Sequence, residues 1–110
     1  FVKYCGVTPA FALYSATKLN ARLAGIGDVT GSIEVGKQAD LIVIDLQRPN
    51  MQPVHNAARN LVYSGSKENV RLTMIAGRVL YENGAFFVGE PVQDIYRAVE
   101  TNFAAMRAAL

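Results

Sequence analysis

The stretch from Gly31 to Asp45 constrains the fold of this chain more than any other segment. In it, Ile33 and Val35 alternate with polar residues, a pattern typical of a half-buried strand. Gly36-Lys37-Gln38 then predicts a turn, in which Gly36 supplies a positive φ. The run Leu41–Ile44 is entirely apolar and rich in β-branched residues, and it is too short for a helix. It therefore predicts a central strand that is covered on both faces.

A helix is predicted on each side of the strands. Thr8 is a good N-cap and Pro9 suits the first helical position, while Gly25 and Gly27 predict the end of this first helix. The last helix starts at Pro91 and has an amphipathic stripe of residues three or four apart. This stripe consists of Val92, Ile95, Val99, Phe103, Met106 and Leu110.

Short strands joined by tight turns are predicted between residues 70 and 88. Val70, Leu72 and Met74 alternate with polar residues, Ala76-Gly77 predicts a turn, and Asn83-Gly84 is the strongest hairpin signal in the chain. The strands that follow these turns are Val79–Tyr81 and Phe86–Val88. The stretch His55–Tyr63 fits either a short helical turn or irregular chain.

The predicted fold class is therefore α+β, with antiparallel strands flanked by an N-terminal helix and a C-terminal amphipathic helix. The boundaries fall at residues 1–30 for the first helix, 31–90 for the strands and 91–110 for the last helix. Of the 110 residues, 51% are hydrophobic, which is enough for a core. Because the chain starts at Phe1 and runs almost at once into a helix signal, we interpret it as part of a longer protein.

Charge and cysteine content exclude several classes of function. The net charge is +2 and the basic residues are scattered, so neither nucleic acid nor a membrane is an expected partner. No apolar run approaches the roughly 20 residues of a membrane helix. The single cysteine, Cys5, fits a reducing compartment, and we expect a cytoplasmic location.

One candidate motif is a near match to a phosphate-binding P-loop, from Gly31 to Gln38. Gln38 stands where a P-loop has the Ser or Thr that binds magnesium. A strand is predicted after Lys37, where phosphate binding needs the N-terminus of a helix. A hairpin turn is therefore the favoured interpretation, and nucleotide binding is the weakest of the three functional hypotheses.

The remaining candidates have structural explanations. His55 is the only histidine and has no cluster of further ligands, Cys5 has no activating neighbour in sequence, and Ser64-Gly65-Ser66 lacks the nucleophile elbow. Three carboxylates flank turns and strand ends, where they can accept backbone N–H bonds; these are Asp28, Asp40 and Asp45. Four aromatic residues are predicted to lie on buried faces; these are Phe86, Phe87, Tyr96 and Phe103. We assign no catalytic, cofactor-binding or metal-binding residue.

Several segments resemble the amidohydrolase superfamily. The first helix resembles the superfamily's TP-x-E-A-L…A-T-x-N-x-A helix, although Phe11 stands where the family has Glu, which weakens the capping box with Thr8. Gly31–Asp45 resembles its G-S-I-E-x-G-K-x-A-D-L-V-V-L-D motif. Leu61–Ser64 and Ile75–Gly84 are most similar to the branch of cytosine, S-adenosylhomocysteine and triazine-type deaminases. The first helix also resembles the imidazolonepropionase branch.

This resemblance implies the tail of a metal-dependent hydrolase acting on non-peptide C–N bonds, such as those of cyclic amides or deamination substrates. The family's catalytic (β/α)8 barrel holds one or two divalent metals, expected to be zinc, on histidines and an aspartate that have no counterpart here. No cofactor is expected in this chain itself. Its strands would form part of a β-sandwich completed by N-terminal strands of the same enzyme, so those strands and the barrel are the expected partners. The isolated chain is expected to be inactive and to self-associate. The alternative is a stand-alone β-rich structural or interaction module without a hydrolase context.

Overall fold

The structure is a computed structural model that describes residues 6–109, and it begins with a helical segment in three parts. Helix α1 (Pro9–Tyr14) continues through a π-helical stretch (Ser15–Leu19) into α2 (Asn20–Leu23). The Oγ1 atom of Thr8 accepts the backbone N–H of Phe11 at 3.1 Å. This bond confirms the predicted cap. Phe11 lacks a side-chain acceptor for the Thr8 N–H, so the second bond of a capping box is missing, but its backbone N–H still bonds Thr8.

The predicted strand at Ile33 and Val35 does not form. Both side chains are almost fully exposed, and the chain from residue 32 to 40 is irregular apart from bends and one turn. Alternation predicts a strand only where a neighbouring strand can accept its backbone bonds, and residues 6–109 place none beside this segment. Gly36 does have the predicted positive φ, at 90°.

Four strands form one antiparallel sheet in the order β1-β2-β3-β4. They are β1 (Leu41–Ile44), β2 (Val70–Ile75), β3 (Arg78–Glu82) and β4 (Ala85–Phe86). Ala76-Gly77 joins β2 to β3 and Asn83-Gly84 joins β3 to β4, and all four turn residues have positive φ. Both predicted turns are therefore confirmed, although the last strand is shorter than predicted.

The prediction that Leu41–Ile44 is the central strand is wrong for this chain. Strand β1 lies at the edge of the sheet and pairs with β2 alone. Ile42 is 55% exposed and Val43 is 44% exposed, so neither face is fully covered. The apolar sequence is that of a strand with two neighbours and two covered faces, but residues 6–109 supply only part of that environment.

The connection between β1 and β2 contains the most deeply buried residues. It consists of a 3-10 turn (Pro49–Met51), helix α3 (Ala57–Ser64) and a second 3-10 turn (Lys67–Asn69). This settles the ambiguous stretch in favour of a helix, which is capped by the Asn56 side chain accepting the backbone N–H of Arg59 at 3.0 Å. Met51 is 0% and Asn69 is 1% exposed.

Helix α4 (Val92–Ala108) confirms the predicted C-terminal helix, but its apolar stripe is exposed at Val99, Phe103 and Met106, and Leu110 lies outside the described residues. Phe103 is 61% exposed, and Phe86, Phe87 and Tyr96 are also exposed, so the prediction that these aromatic residues are buried is wrong. The radius of gyration is 18.1 Å, whereas a compact domain of this length has about 13 Å. The α+β class is confirmed, with one sheet layer and exposed apolar surfaces. No helix in residues 6–109 has the length and hydropathy to cross a membrane.

Candidate functional site: an apolar groove beside the edge strand

A mainly apolar groove of about 810 Å³ lies between the N-terminal helical segment and the start of β1. The side chains that give it this character come from the helices, from the loop after them and from β1. They are Tyr14, Ala21, Ile26, Ile33, Leu41 and Ile42. Because Leu41 and Ile42 line the groove, this apolar surface reaches the start of the edge strand.

Close packing of the loop against the helices builds the floor of the groove. A Cβ atom placed on Gly31 would lie 2.5 Å from the Cβ of Ala21 and 3.3 Å from the carbonyl oxygen of Thr17. Gly31 also has a φ of 93°. Only glycine fits such a close approach in this conformation, so Gly31 fixes the path by which the chain leaves the helix and reaches β1.

A polar cluster around Lys37 closes the loop on the far side of the groove. The Lys37 side chain is 14% exposed, and its Nζ donates to the carbonyl oxygen of Gly27 at 2.7 Å and to Ser32 Oγ at 2.8 Å. Ser32 Oγ in turn donates to Glu34 Oε1 at 2.7 Å. The Ser32 hydroxyl, followed by the hydrogen bond and charge of Lys18, holds the pKa of Glu34 below its usual range.

The hydrogen bonds of this cluster argue against phosphate binding by the P-loop-like motif. The Lys37 amine is bound within its own loop, and the irregular chain after it enters β1 rather than a helix. A phosphate cradle needs a free lysine and the N-terminus of a helix. The geometry favours a turn over nucleotide binding, but the turn is not a hairpin, because the strand predicted before it does not form.

Asp40 fastens the start of β1 to the turn between β2 and β3. Its Oδ1 accepts the backbone N–H of Ala76 at 2.7 Å, and the Gly77 N–H donates to the carbonyl oxygen of Ala39 at 3.1 Å. Asp40 therefore accepts a backbone N–H next to a strand end, as the sequence predicts. The Ala76 N–H, with a further hydrogen bond from Thr30, holds the pKa of Asp40 below its usual range.

The residues singled out for chemistry are not brought together. His55 is exposed in the loop just before the α3 cap, Ser64 ends α3, and Ser66 caps the second 3-10 turn through Asn69. Asp45 accepts the Gln47 N–H at 2.9 Å and pairs with Arg48 at 3.4 Å. Cys5 lies outside the described residues. Within residues 6–109, no group of three or more His, Cys, Asp or Glu side chains could hold a metal ion.

Sequence reasoning missed the amide network that organises the β1–β2 connection. Asn60 Nδ2 donates to the carbonyl oxygens of Met51 at 2.7 Å and Pro53 at 3.1 Å, while Asn50 and Asn69 bond each other. The available signal was the density of asparagines around two prolines, where side-chain amides can replace backbone partners. That signal indicates a loop but does not give its pairing.

Comparison with known proteins shows which family this chain matches. The sequence matches the amidohydrolase family over residues 2–80. The 5-methylthioadenosine/S-adenosylhomocysteine deaminase of Desulfovibrio desulfuricans is 42% identical over 78 residues, which make up 71% of this chain and 18% of that protein. The deaminase of the same name from Nitratidesulfovibrio vulgaris is 52% identical over 56 residues, or 51% of this chain and 13% of that protein.

A solved structure supports the same conclusion. An adenosine deaminase from Xanthomonas campestris, crystallised with bound zinc, matches with a TM-score of 0.85 and 31% identity over 93% of this chain and 23% of that one. The chain therefore belongs to the amidohydrolase family, as the resemblance predicted. It spans less than a fifth of the length of the curated relatives described above.

Proposed function

We propose that this chain is the structural C-terminal part of a metal-dependent deaminase, an enzyme that replaces an amino group by the oxygen of water and releases ammonia. The observation that carries the proposal is the match of 93% of the chain to part of an adenosine deaminase with bound zinc. The named relatives support a deamination substrate rather than a cyclic amide. Imidazolonepropionase-like activity and a cytoplasmic location stay predictions.

The catalytic metal, zinc in this proposal, is assigned to other parts of a longer protein. The described residues do not fit a metal site, because His55 stands apart from the carboxylates and no three potential ligands converge in residues 6–109. We therefore derive no chemical step from this chain. That it supplies no catalytic or metal-binding residue stays a prediction.

The proposed contribution of the chain is to complete a β-sandwich and hold it against the catalytic domain. The free edge of β1 offers backbone groups to a further strand, and the adjoining groove offers apolar surface to alternate side chains of that strand. The exposed stripe of α4 offers a second surface for the catalytic domain. We propose that extended N-terminal segments of the same polypeptide occupy the β1 edge.

The first test compares the 110-residue chain with the product of the complete gene. We expect the complete protein to bind stoichiometric zinc and to release ammonia from adenosine-type substrates, and the 110-residue chain to do neither. Tight stoichiometric zinc in the 110-residue chain would contradict the assignment. A complete gene product no longer than this chain would favour the stand-alone module instead.

A second test addresses the β1 edge. Without its partners, the chain is expected to self-associate through this edge, as measured by sedimentation velocity. Ile42→Glu should weaken this association, because it places a charge beside the groove. Ile75→Glu is the matched control, since Ile75 is 51% exposed, comparable to the 55% of Ile42, but lies on β2 away from the groove. Equal association of both variants, or a monomeric parent chain that binds no hydrophobic dye, would overturn the docking role of β1.

A further inference from the structure

The β3–β4 hairpin contains the single asparagine of this sequence that precedes a glycine. The chain has seven asparagines, which are Asn20, Asn50, Asn56, Asn60, Asn69, Asn83 and Asn102. Asn83 and Gly84 are the two central residues of the turn, with φ values of 47° and 91°, and both are exposed. We propose that Asn83 is a site of spontaneous deamidation in the folded protein, and that Arg71 promotes the reaction.

The reaction requires only the chain and water. The backbone nitrogen of Gly84 loses its proton to hydroxide and attacks Cγ of Asn83, which closes a succinimide ring. The side-chain amide nitrogen takes a proton from water and leaves as ammonia. Water then opens the ring at either carbonyl and gives aspartate or isoaspartate, so that each conversion consumes one water and releases one ammonia.

The hairpin leaves the attacking nitrogen available. Among the hydrogen bonds of residues 6–109, none has the Gly84 N–H as donor, whereas the Asn83 N–H is bound to the carbonyl oxygen of Arg71 at 2.9 Å. A Cβ placed on Gly84 would meet no atom within 4 Å, so the space around this residue is open. Deprotonation of the Gly84 nitrogen therefore breaks no hydrogen bond of the turn.

Arg71 lies where it can assist the attack. Its Nε donates to Asn83 Oδ1 at 3.0 Å. As Gly84 nitrogen adds to Cγ, negative charge develops on Oδ1, and a positioned cation stabilises that charge. The same bond fixes which side-chain atom is the oxygen and leaves Nδ2 as the departing group.

The two products differ in their effect on the hairpin. Aspartate at position 83 keeps the bond to Arg71 and turns it into an ion pair, because the neutral amide oxygen becomes a carboxylate oxygen. Isoaspartate adds a methylene to the main chain, which a two-residue turn does not accommodate. The pairs Glu82↔Ala85 and Tyr81↔Phe86 would then be disturbed, together with the contact of the Tyr81 and Phe86 rings, whose centroids are 5.1 Å apart.

The test is peptide mass mapping of the folded chain during incubation at neutral and at mildly acidic pH, with fragmentation that distinguishes aspartate from isoaspartate. We expect Asn83 to convert several-fold faster than each of the other asparagines, and faster at neutral pH. The same chain unfolded in urea is the reference. Conversion of Asn83 in urea but not in the folded chain would show that the hairpin protects it and would overturn the proposal.

A pair of arginine variants tests the part played by Arg71. Arg71→Gln should slow conversion several-fold, because it removes the charge beside Oδ1. Arg78→Gln is the matched control. Arg78 is exposed at the start of β3, so this variant makes the same substitution outside the Asn83-Gly84 turn. An unchanged or faster rate in Arg71→Gln would overturn the promoting role of Arg71.

Discussion

Asn50 and Asn69 bond each other through a reciprocal pair of side-chain amides. Asn50 Nδ2 donates to Asn69 Oδ1 at 2.8 Å, and Asn69 Nδ2 donates to Asn50 Oδ1 at 3.2 Å. The pair joins the two 3-10 turns that flank α3, although the residues are 19 positions apart. It therefore closes the β1–β2 connection through side chains alone, because α3 lies between the two turns along the chain.

Replacing Asn69 should open this connection. Asn69 is 1% exposed, and its Oδ1 also accepts the Ser66 N–H at 2.8 Å. Asn69→Ala removes part-buried hydrogen bonds to Asn50, to Ser66 and to the Asp45 carbonyl oxygen, each worth about 0.5–1.5 kcal/mol. We expect the free energy of unfolding in urea to fall by roughly 2–3 kcal/mol. Asn102→Ala on the exposed face of α4 is the matched control and should change it little; equal effects would contradict the role of the pair.

Met51 should be the most sensitive apolar residue of the connection. Its side chain is 0% exposed, so truncation leaves a cavity. Met51→Ala is expected to lower the free energy of unfolding by about 2–5 kcal/mol. The same substitution at Met106, which is 68% exposed, serves as the control and should have an effect within about 0.5 kcal/mol. Similar denaturation midpoints for the two variants would place the core elsewhere.

The elements that sequence predicts correctly are those whose signals are local. Thr8 and Pro9 start a helix through bonds within one turn, and Asn83-Gly84 forms a hairpin because both residues accept positive φ. The stripe of α4 likewise depends on spacing within a single helix. None of these features requires a distant partner.

The predictions that fail depend on what lies beside an element. The apolar run Leu41–Ile44 implies two covered faces, but β1 has one neighbouring strand in residues 6–109. Phe86 and Phe103 are apolar enough for a core, yet they are exposed because the described part of the chain places no second layer over them. For Lys37, sequence predicts the turn, whereas the bonds to Gly27 and Ser32 depend on how the loop folds back.

Lys37 should stabilise the loop beside the groove. Lys37→Met keeps the aliphatic stem and removes the donor to Gly27 and Ser32. We expect the free energy of unfolding to fall by about 1–2 kcal/mol. Lys67→Met, at an exposed position of the second 3-10 turn, is the control. If both variants unfold at the parent's urea midpoint, the bonds of Lys37 do not hold this loop.

Titration with magnesium and ATP gives an independent check of the same lysine. Because its amine is already bound to Gly27 and Ser32, we expect no heat of binding from the parent chain. Saturable binding that Lys37→Met abolishes would restore the P-loop hypothesis.

Asp40 should make the stability of the chain depend on acid pH. Its pKa is lowered in the folded state, because the carboxylate accepts the Ala76 N–H and a hydrogen bond from Thr30. The unfolded chain therefore binds a proton more readily, and the stabilising contribution is complete above the unfolded pKa of about 3.9. It is lost as the pH falls through the lower pKa of the folded state.

Asp40→Asn tests this dependence, because it removes the charge and keeps an oxygen that can accept the Ala76 N–H. The parent should be more stable than the variant at neutral pH, and the difference should shrink below about pH 4. Urea unfolding across this range measures it, with Asp28→Asn as the control for an exposed carboxylate of the loop. A difference between parent and Asp40→Asn that stays constant down to the acid limit would mean that the charge of Asp40 does not stabilise the junction between β1 and the β2–β3 turn.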